Sequence, residues 1–512
     1  MKKRTFAVLL LVMMTALCSC KGNTSGESGA TGNNGSSSDS VVVGITNDMD
    51  SLDPHKAVAA GTSEVLYNIF EGLVKADPNG NMQPALCTEY EISDDALTYT
   101  FTLRDGVKFH NGEEVKPGDV VYSLKRVAGM LGENDIKVIS AFSVISDIQA
   151  VEDGEKNKVV VTLSEPNTEL IYYFNAAVIP EDYKEQESAP VGTGPFKFVS
   201  FSPMESIVIE KNEDYYGTPA YLDEVTFRIY ANVDDAFMEL LAGNIDIFPY
   251  LSFDQSELLK DNYNIEVGMQ SLAEALYLNN ADPLLSNVKV RQAISYAVDF
   301  KEMDEIVSGG VSHVLKTGMF PTFKEYYNDE TESYYPHDPE AAKKLLAEAG
   351  YPDGIDLTIT VPNNYALHLT ISEILVDQLA EAGIRATVKQ VDWSTWLSDV
   401  YQGHEYQATV IALDATMAPG DVIDYFRTGH YSNFTNFNNE EYDNLYDAAV
   451  NAVDQNEKID LYKQAQLVLT ENAASAWLMC PSIMVAVNKD LEGYTFYPIY
   501  VQDMSKIKYK EN

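Results

Sequence analysis

Positive charge is scarce in this chain: 35 Lys and Arg stand against 78 Asp and Glu, a formal net charge of −43 over 512 residues. Such a surface repels phosphate backbones and anionic lipid headgroups. Nucleic acid is therefore excluded as a partner, and surface charge cannot hold the protein at a membrane. Cysteine is nearly absent, with four residues, so the fold does not rest on a disulfide framework. The seven histidines are scattered, and no Cys or His spacing fits zinc; His404-Glu405 does not extend into an HExxH helix. No GxSxG occurs, and carboxylates are too abundant for one pair to stand out as a glycosidase dyad. Gly192-Thr193-Gly194-Pro195 lacks the third Gly of a dinucleotide loop and the Lys of a phosphate loop, and reads as a tight turn. Ser505 and Lys508 match SxxK, but without the companion motifs of that chemistry. No catalytic constellation remains, and neither a metal nor a cofactor is expected.

What is present begins with the N-terminus. Lys2, Lys3 and Arg4 precede an apolar run from Phe6 to Leu17, shorter than the roughly 20 residues of a spanning helix. The pattern predicts a signal peptide over residues 1–19. Leu17-Cys18-Ser19-Cys20 resembles a bacterial lipobox, which implies diacylglycerol on Cys20; ordinary secretory cleavage is the plainer alternative. Buried acyl chains, at about 0.8 kcal/mol per CH₂, would anchor a protein that charge cannot hold. Residues 20–40 are then the lipidated Cys and a flexible tether rich in Gly, Ser and Asn. Cys87 and Cys480 are left as expected buried thiols.

The body of the chain reads as α/β. Leu97, Tyr99, Phe101 and Leu103 alternate with Thr98, Thr100 and Thr102, a half-buried strand. Asp105-Gly106 and Asn111-Gly112 supply turns, and Pro117 and Asp119 open a helix with Val120, Leu124, Val127 and Ala128 on one face. Further on, Asp338-Pro339 starts a helix that Gly350 and Pro352 end. Strands at Ile355 to Val361 and Ile384 to Val391 flank a helical stripe from Ile371 to Ala382, which implies a parallel crossover.

The wording of several segments resembles the family 5 solute-binding proteins, which include the oligopeptide- and dipeptide-binding proteins of ABC importers. These are Leu97 to Arg126, Ser51 to His55 with Asn68 to Leu73, Val191 to Phe196, Asn212 to Phe227, Asn279 to Asp299 and Asp338 to Gly354. The resemblance implies a two-lobe α/β fold of the periplasmic-binding-protein kind, with an inserted third subdomain and a ligand cleft between the lobes. Lobe I is expected at 41–70, 190–278 and 479–512, the insert at 71–189 and lobe II at 279–478. The implied role is a lipid-anchored extracytoplasmic monomer that closes on a solute and delivers it to ABC permease subunits. A peptide is the first-choice ligand. An oligosaccharide or metal chelate is the alternative, and a surface sensor or hydrolase a more distant one.

The family's peptide binders hold the ligand ammonium with an Asp preceding a Pro in lobe II, because a buried ammonium needs a charge partner. Here Ala418 precedes Pro419, which puts that subsite in doubt. Either an insertion or deletion brings Asp414 or Asp421 to it, or both are solvated loop acids. Trp393 and Trp396 follow the second crossover strand, where α/β ligand sites form. Trp477 precedes one expected hinge crossing, and Tyr277 and Asn279 flank the other. Each of these is a candidate for ligand contact or for packing within a lobe. Ala60 and Gly61 lie where the family's first lobe offers backbone to the ligand.

Overall fold

The computed structural model describes residues 39–46, 49–153, 156–414, 418–499 and 501–511. The expected signal peptide, Cys20 and almost all of the expected tether lie outside them. Three main sheets organise the chain. A seven-stranded sheet runs in the order Tyr263–Met269, Ser482–Asn488, Ile247–Phe248, Ser40–Ile45, Glu224–Ile229, Ser206–Lys211 and Phe196–Ser202. A six-stranded sheet runs His313–Val314, Ala476–Cys480, Leu272–Leu278, Ala408–Asp414, Ile355–Pro362 and Ile384–Val391. The third is an antiparallel four-stranded sheet, Cys87–Ile92, Thr98–Leu103, Lys156–Leu163 and Ile145–Asp153, inserted in sequence between strands of the first.

Two short segments carry the chain between the large sheets. Gln270 and Ser271 separate Tyr263–Met269 from Leu272–Leu278, and Pro481 alone separates Ala476–Cys480 from Ser482–Asn488. They lie side by side, with the Gln270 amide donating to the Pro481 carbonyl at 3.0 Å. Few backbone torsions therefore connect two separately packed cores, which is the covalent layout of a hinge. The expectation of lobe I running to residue 278 groups Leu272–Leu278 with the first sheet. Its hydrogen bonds join it to Ala408–Asp414 in the second, a long-range pairing that local periodicity does not encode. Tyr277 and Asn279 consequently lie a strand's length from the crossing.

The local readings have clear physical counterparts. Tyr99 and Phe101 are fully buried on the inner face of Thr98–Leu103, and Phe101 meets Phe174 edge-on at 4.7 Å. The helix Pro117–Val127 buries Val120, Leu124 and Val127 against that sheet. Asp338 caps Pro339–Glu348 by accepting from the Ala341 amide at 2.9 Å. Ile355–Pro362 and Ile384–Val391 pair in parallel around Ala366–Glu381. Cys87 and Cys480 are both free and buried.

Several segments that carry the family resemblance meet in space. Asp53 receives two hydrogen bonds from the Arg126 guanidinium, at 3.0 and 2.8 Å, with both residues buried. His55 lies against the same guanidinium and its Nε2 donates to the Ala177 carbonyl at 2.8 Å. Burial pushes its pKa down to about 4, so it serves there as a neutral ring. The turn Gly192 to Pro195 presses on the backbone of Asn68 and Ile69: a Cβ on Gly192 would come within 2.2 Å of the Ile69 oxygen, and one on Gly194 within 2.6 Å of the Asn68 oxygen. His110 stitches this contact, accepting from the Gly192 amide at Nδ1 and donating from Nε2 to the Gly194 carbonyl at 3.1 Å. The glycines are there for close backbone approach, not for phosphate.

Candidate functional site

The strand Ala408–Asp414 ends at an exposed carboxylate, Asp414. Beyond it Pro419 starts the short helix Pro419–Ile423, which runs into the 3₁₀ turn Asp424–Phe426. This places Asp421, Asp424 and Tyr425 along one wall of a cavity of about 940 Å³. The opposite wall comes from the inserted subdomain, through Ser140 to Val144 and Glu165 to Tyr173. The lining holds five carboxylates (Glu165, Asp414, Asp421, Asp424 and Asp447) and five tyrosines (173, 401, 425, 431 and 446). Its one Arg or Lys among the described residues, Arg427, is paired with Asp447 at 2.6 Å. Asp414 also borders a smaller cavity, of about 100 Å³, walled by Glu64, Tyr250 and Tyr494 from the first-sheet side and by the crossing residues Gln270 and Ser271. The two cavities thus meet at the end of one strand.

The electrostatics of the larger cavity favour a cation. Burial, reinforced by the charge of Asp421, pushes the Asp424 carboxyl up to about 8, so it holds a proton at neutral pH that a bound cation would displace. His430, 3.8 Å from Asp424, has its pKa lowered by burial and then by Arg427, and adds little positive charge. The Tyr173 hydroxyl donates to Asp421, joining the two walls.

A second junction holds the walls together. Glu169, 4% exposed, projects from the inserted subdomain and accepts from the Gly420 amide at 3.0 Å and the Tyr462 hydroxyl at 2.6 Å. Its charge partner is Lys458, itself 4% exposed, at 3.6 Å. Burial raises the Glu169 pKa against the pull of Lys458, and lowers that of Lys458 against the pull of Glu169. Gly420 is the second residue of the helix Pro419–Ile423, whose N-cap Ala418 has no capping side chain. The amide that an acidic N-cap would satisfy is therefore taken by Glu169 from the other wall.

The remaining sequence candidates fall in varied places. Ala418 is buried at 1% exposure. Tyr277 is fully enclosed between Phe426 and Phe434, its hydroxyl donating to the Ala273 carbonyl at 2.8 Å. Asn279 donates to the His404 and Tyr406 carbonyls and accepts from Asn436, which uses its amide internally. Trp396 is buried, with its Nε1 donating to Thr409 at 2.9 Å, and Trp393 stacks on it at 5.1 Å with one face half-exposed. Tyr401 stacks on Trp396 and reaches the cavity. Trp477 is buried beside Phe426, its Nε1 without a hydrogen-bond acceptor among the described residues. Ala60 and Gly61 start the helix Ala60–Leu66, whose Glu64 borders the smaller cavity. Of the ten ligand candidates, Asp414 and Asp421 line the large cavity. Sequence reasoning missed Glu169, Tyr173 and Asp424. An acid set directly against an aromatic or apolar run, as in Glu169 to Tyr173 and Asp424 to Phe426, is the signal that could have found them.

Over residues 81–434 the chain matches the family described as bacterial extracellular solute-binding proteins, family 5 Middle. The heme-binding protein A of Haemophilus influenzae is 28% identical over 80% of this chain and 81% of its own. The glutathione-binding protein GsiB of Salmonella typhi is 27% identical over 90% and 92%. The solved structure of the periplasmic binding protein DppA from Helicobacter pylori, in complex with the peptide STSA, is 26% identical and superposes with a TM-score of 0.74 over 92% of this chain and 98% of its own.

Proposed function

Because this chain belongs to the bacterial extracellular solute-binding proteins of family 5, the non-enzymatic capture components of ABC importers, we propose that its solute is a peptide whose positive end sits among Asp414, Asp421 and Asp424. The observation that carries this reading is the acid-lined cavity of about 940 Å³ at the end of Ala408–Asp414. Three carboxylates with no Arg or Lys between them suit an ammonium or guanidinium, and the tyrosines offer faces and hydroxyls to an extended backbone. In this reading the acid missing at Ala418 is replaced by neighbours along the same loop. The relatives named for glutathione, and the structure solved with STSA, support a peptide of a few residues. A metal chelate stays the second reading, supported by the relative named for heme.

The solute is engulfed as the lobes turn about Gln270–Ser271 and Pro481. We place the first lobe on the seven-stranded sheet and the second on the six-stranded sheet. We further propose that the protein works as a monomer held at the outer face of the membrane by lipid on Cys20; among the described residues no helix is long and apolar enough to cross a membrane. Native mass spectrometry of protein purified without denaturation tests the ligand class. A co-purified peptide supports the proposal, whereas a sugar, porphyrin or chelate in its place overturns it.

A further inference from the structure

Away from the cleft a third cavity, of about 420 Å³, opens between the strand Val74–Ala76, the end of Thr98–Leu103, the Tyr215 loop and the turn Met504–Lys506. None of its lining residues borders either cleft cavity. The lining has the opposite character to the rest of the molecule: Lys75, Arg104 and Lys506 face it and no carboxylate does, in a chain with more than twice as many acids as bases. Gathering three cations around one hollow costs Coulomb energy that an anion would relieve.

The acids that restrain this repulsion stand behind the lining. Glu71 holds Lys75 at 3.0 Å and Asp503 holds Lys506 at 3.6 Å, and both acids are buried. Arg104 has no such partner: no carboxylate lies within salt-bridge reach of it among the described residues. Its Nε donates to the Ala85 carbonyl at 3.3 Å, and its guanidinium lies 5.3 Å from the ring centre of Tyr216. The ring and the single carbonyl hold the guanidinium, and among the described residues neither terminal nitrogen has a protein acceptor. That is the fork geometry that receives a carboxylate or phosphate in bidentate fashion. Ser505 and the tyrosine rings complete the wall, and the volume exceeds what a bare inorganic ion fills.

We propose that this cavity is a second binding site, for a small organic oxyanion seated on Arg104 between Lys75 and Lys506. It is separate from the solute cleft and stands whether or not the solute is a peptide. The test is calorimetric titration of the full chain with phenyl phosphate and with benzoate, at constant ionic strength in sodium chloride, with inorganic phosphate as the bare-ion comparison. The expected result is saturable one-to-one binding of at least one organic anion, tighter than inorganic phosphate. Arg104→Gln weakens it at least tenfold and Lys506→Gln severalfold, while Lys343→Gln, on a distant exposed helix, leaves it unchanged. The Lys506 side chain is 48% exposed, so Lys506→Gln keeps the test valid if Arg104→Gln fails to fold. Absence of saturation with both organic anions, or affinity unchanged in the substituted proteins, overturns the proposal. Preference for phenyl phosphate or for benzoate identifies the headgroup.

Discussion

Replacing Glu169 by Ala should loosen the wall of the ligand cavity far more than an average substitution. The carboxylate accepts two hydrogen bonds, from the Gly420 amide and the Tyr462 hydroxyl, and faces the ammonium of Lys458. Lys458 is 4% exposed, so Glu169→Ala strands a cation that water cannot reach. Breaking a buried pair from one side costs roughly 3–5 kcal/mol, because the surviving charge loses its partner but not its desolvation. Residues 39–511 fall in one compact unit; at about 2.1 cal/mol/K of unfolding entropy per residue, each kcal/mol moves its transition by about 1 °C, so it should fall by about 3–5 °C. Trp393, Trp396 and Trp477 are the three tryptophans, and all follow or lie on strands of the six-stranded sheet; their fluorescence on heating reports that half of the molecule. Lys458→Met should be costly for the same reason, and the double substitution Glu169→Ala with Lys458→Met should recover much of the loss, since neither charge remains to be stranded. A drop below 2 °C for Glu169→Ala, or losses that simply add in the double variant, would refute the pairing.

Gly420→Ala sets a Cβ 2.5 Å from Glu169 Oε2 and 2.9 Å from the Tyr462 hydroxyl. It should lower stability by about 1–3 kcal/mol, and an unchanged melting curve would contradict the close approach. Arg126→Met leaves Asp53 buried without its two guanidinium bonds, a loss of about 3–5 kcal/mol measurable by denaturant unfolding; a change under 1 kcal/mol would show the pair to be incidental. The Asp424 carboxyl, pushed by burial from 3.8 to about 8, keeps a proton when folded that the unfolded chain has already lost. Its contribution to stability is therefore fully present below about pH 4 and declines as pH rises towards 8. Asp424→Asn removes that decline, so its melting temperature should gain on the parent between pH 5 and 8; a gap constant with pH would contradict the assignment.

The sequence made the elements legible wherever the information was local. Strand alternation at Leu97 to Leu103, the Asp338 cap and the parallel crossover at 355–391 all follow from periodicity and capping. The pairing of Leu272–Leu278 with Ala408–Asp414 was not legible, because it joins segments more than a hundred residues apart and decides on which side of the hinge Tyr277 and Asn279 fall. Asp414 and Asp421 could be singled out as acids near a motif, but their neighbour Glu169 comes from another part of the chain. Its role depends on Ala418 lacking a capping group, a relation that exists in three dimensions alone. The resemblance of Leu97 to Arg126 identified the family through scaffold: Arg126 reaches Asp53, and nothing in that stretch lines the acid-walled cavity of about 940 Å³.

The placement of the solute's positive end among Asp414, Asp421 and Asp424 is tested most directly by calorimetry with a peptide identified as co-purifying, in free and amino-terminally acetylated forms. Acetylation should weaken binding by at least tenfold, about 1.4 kcal/mol, and the free peptide should displace the Asp424 proton on binding at pH 6 to 7. Equal affinity of the two forms, with no proton released, would contradict it.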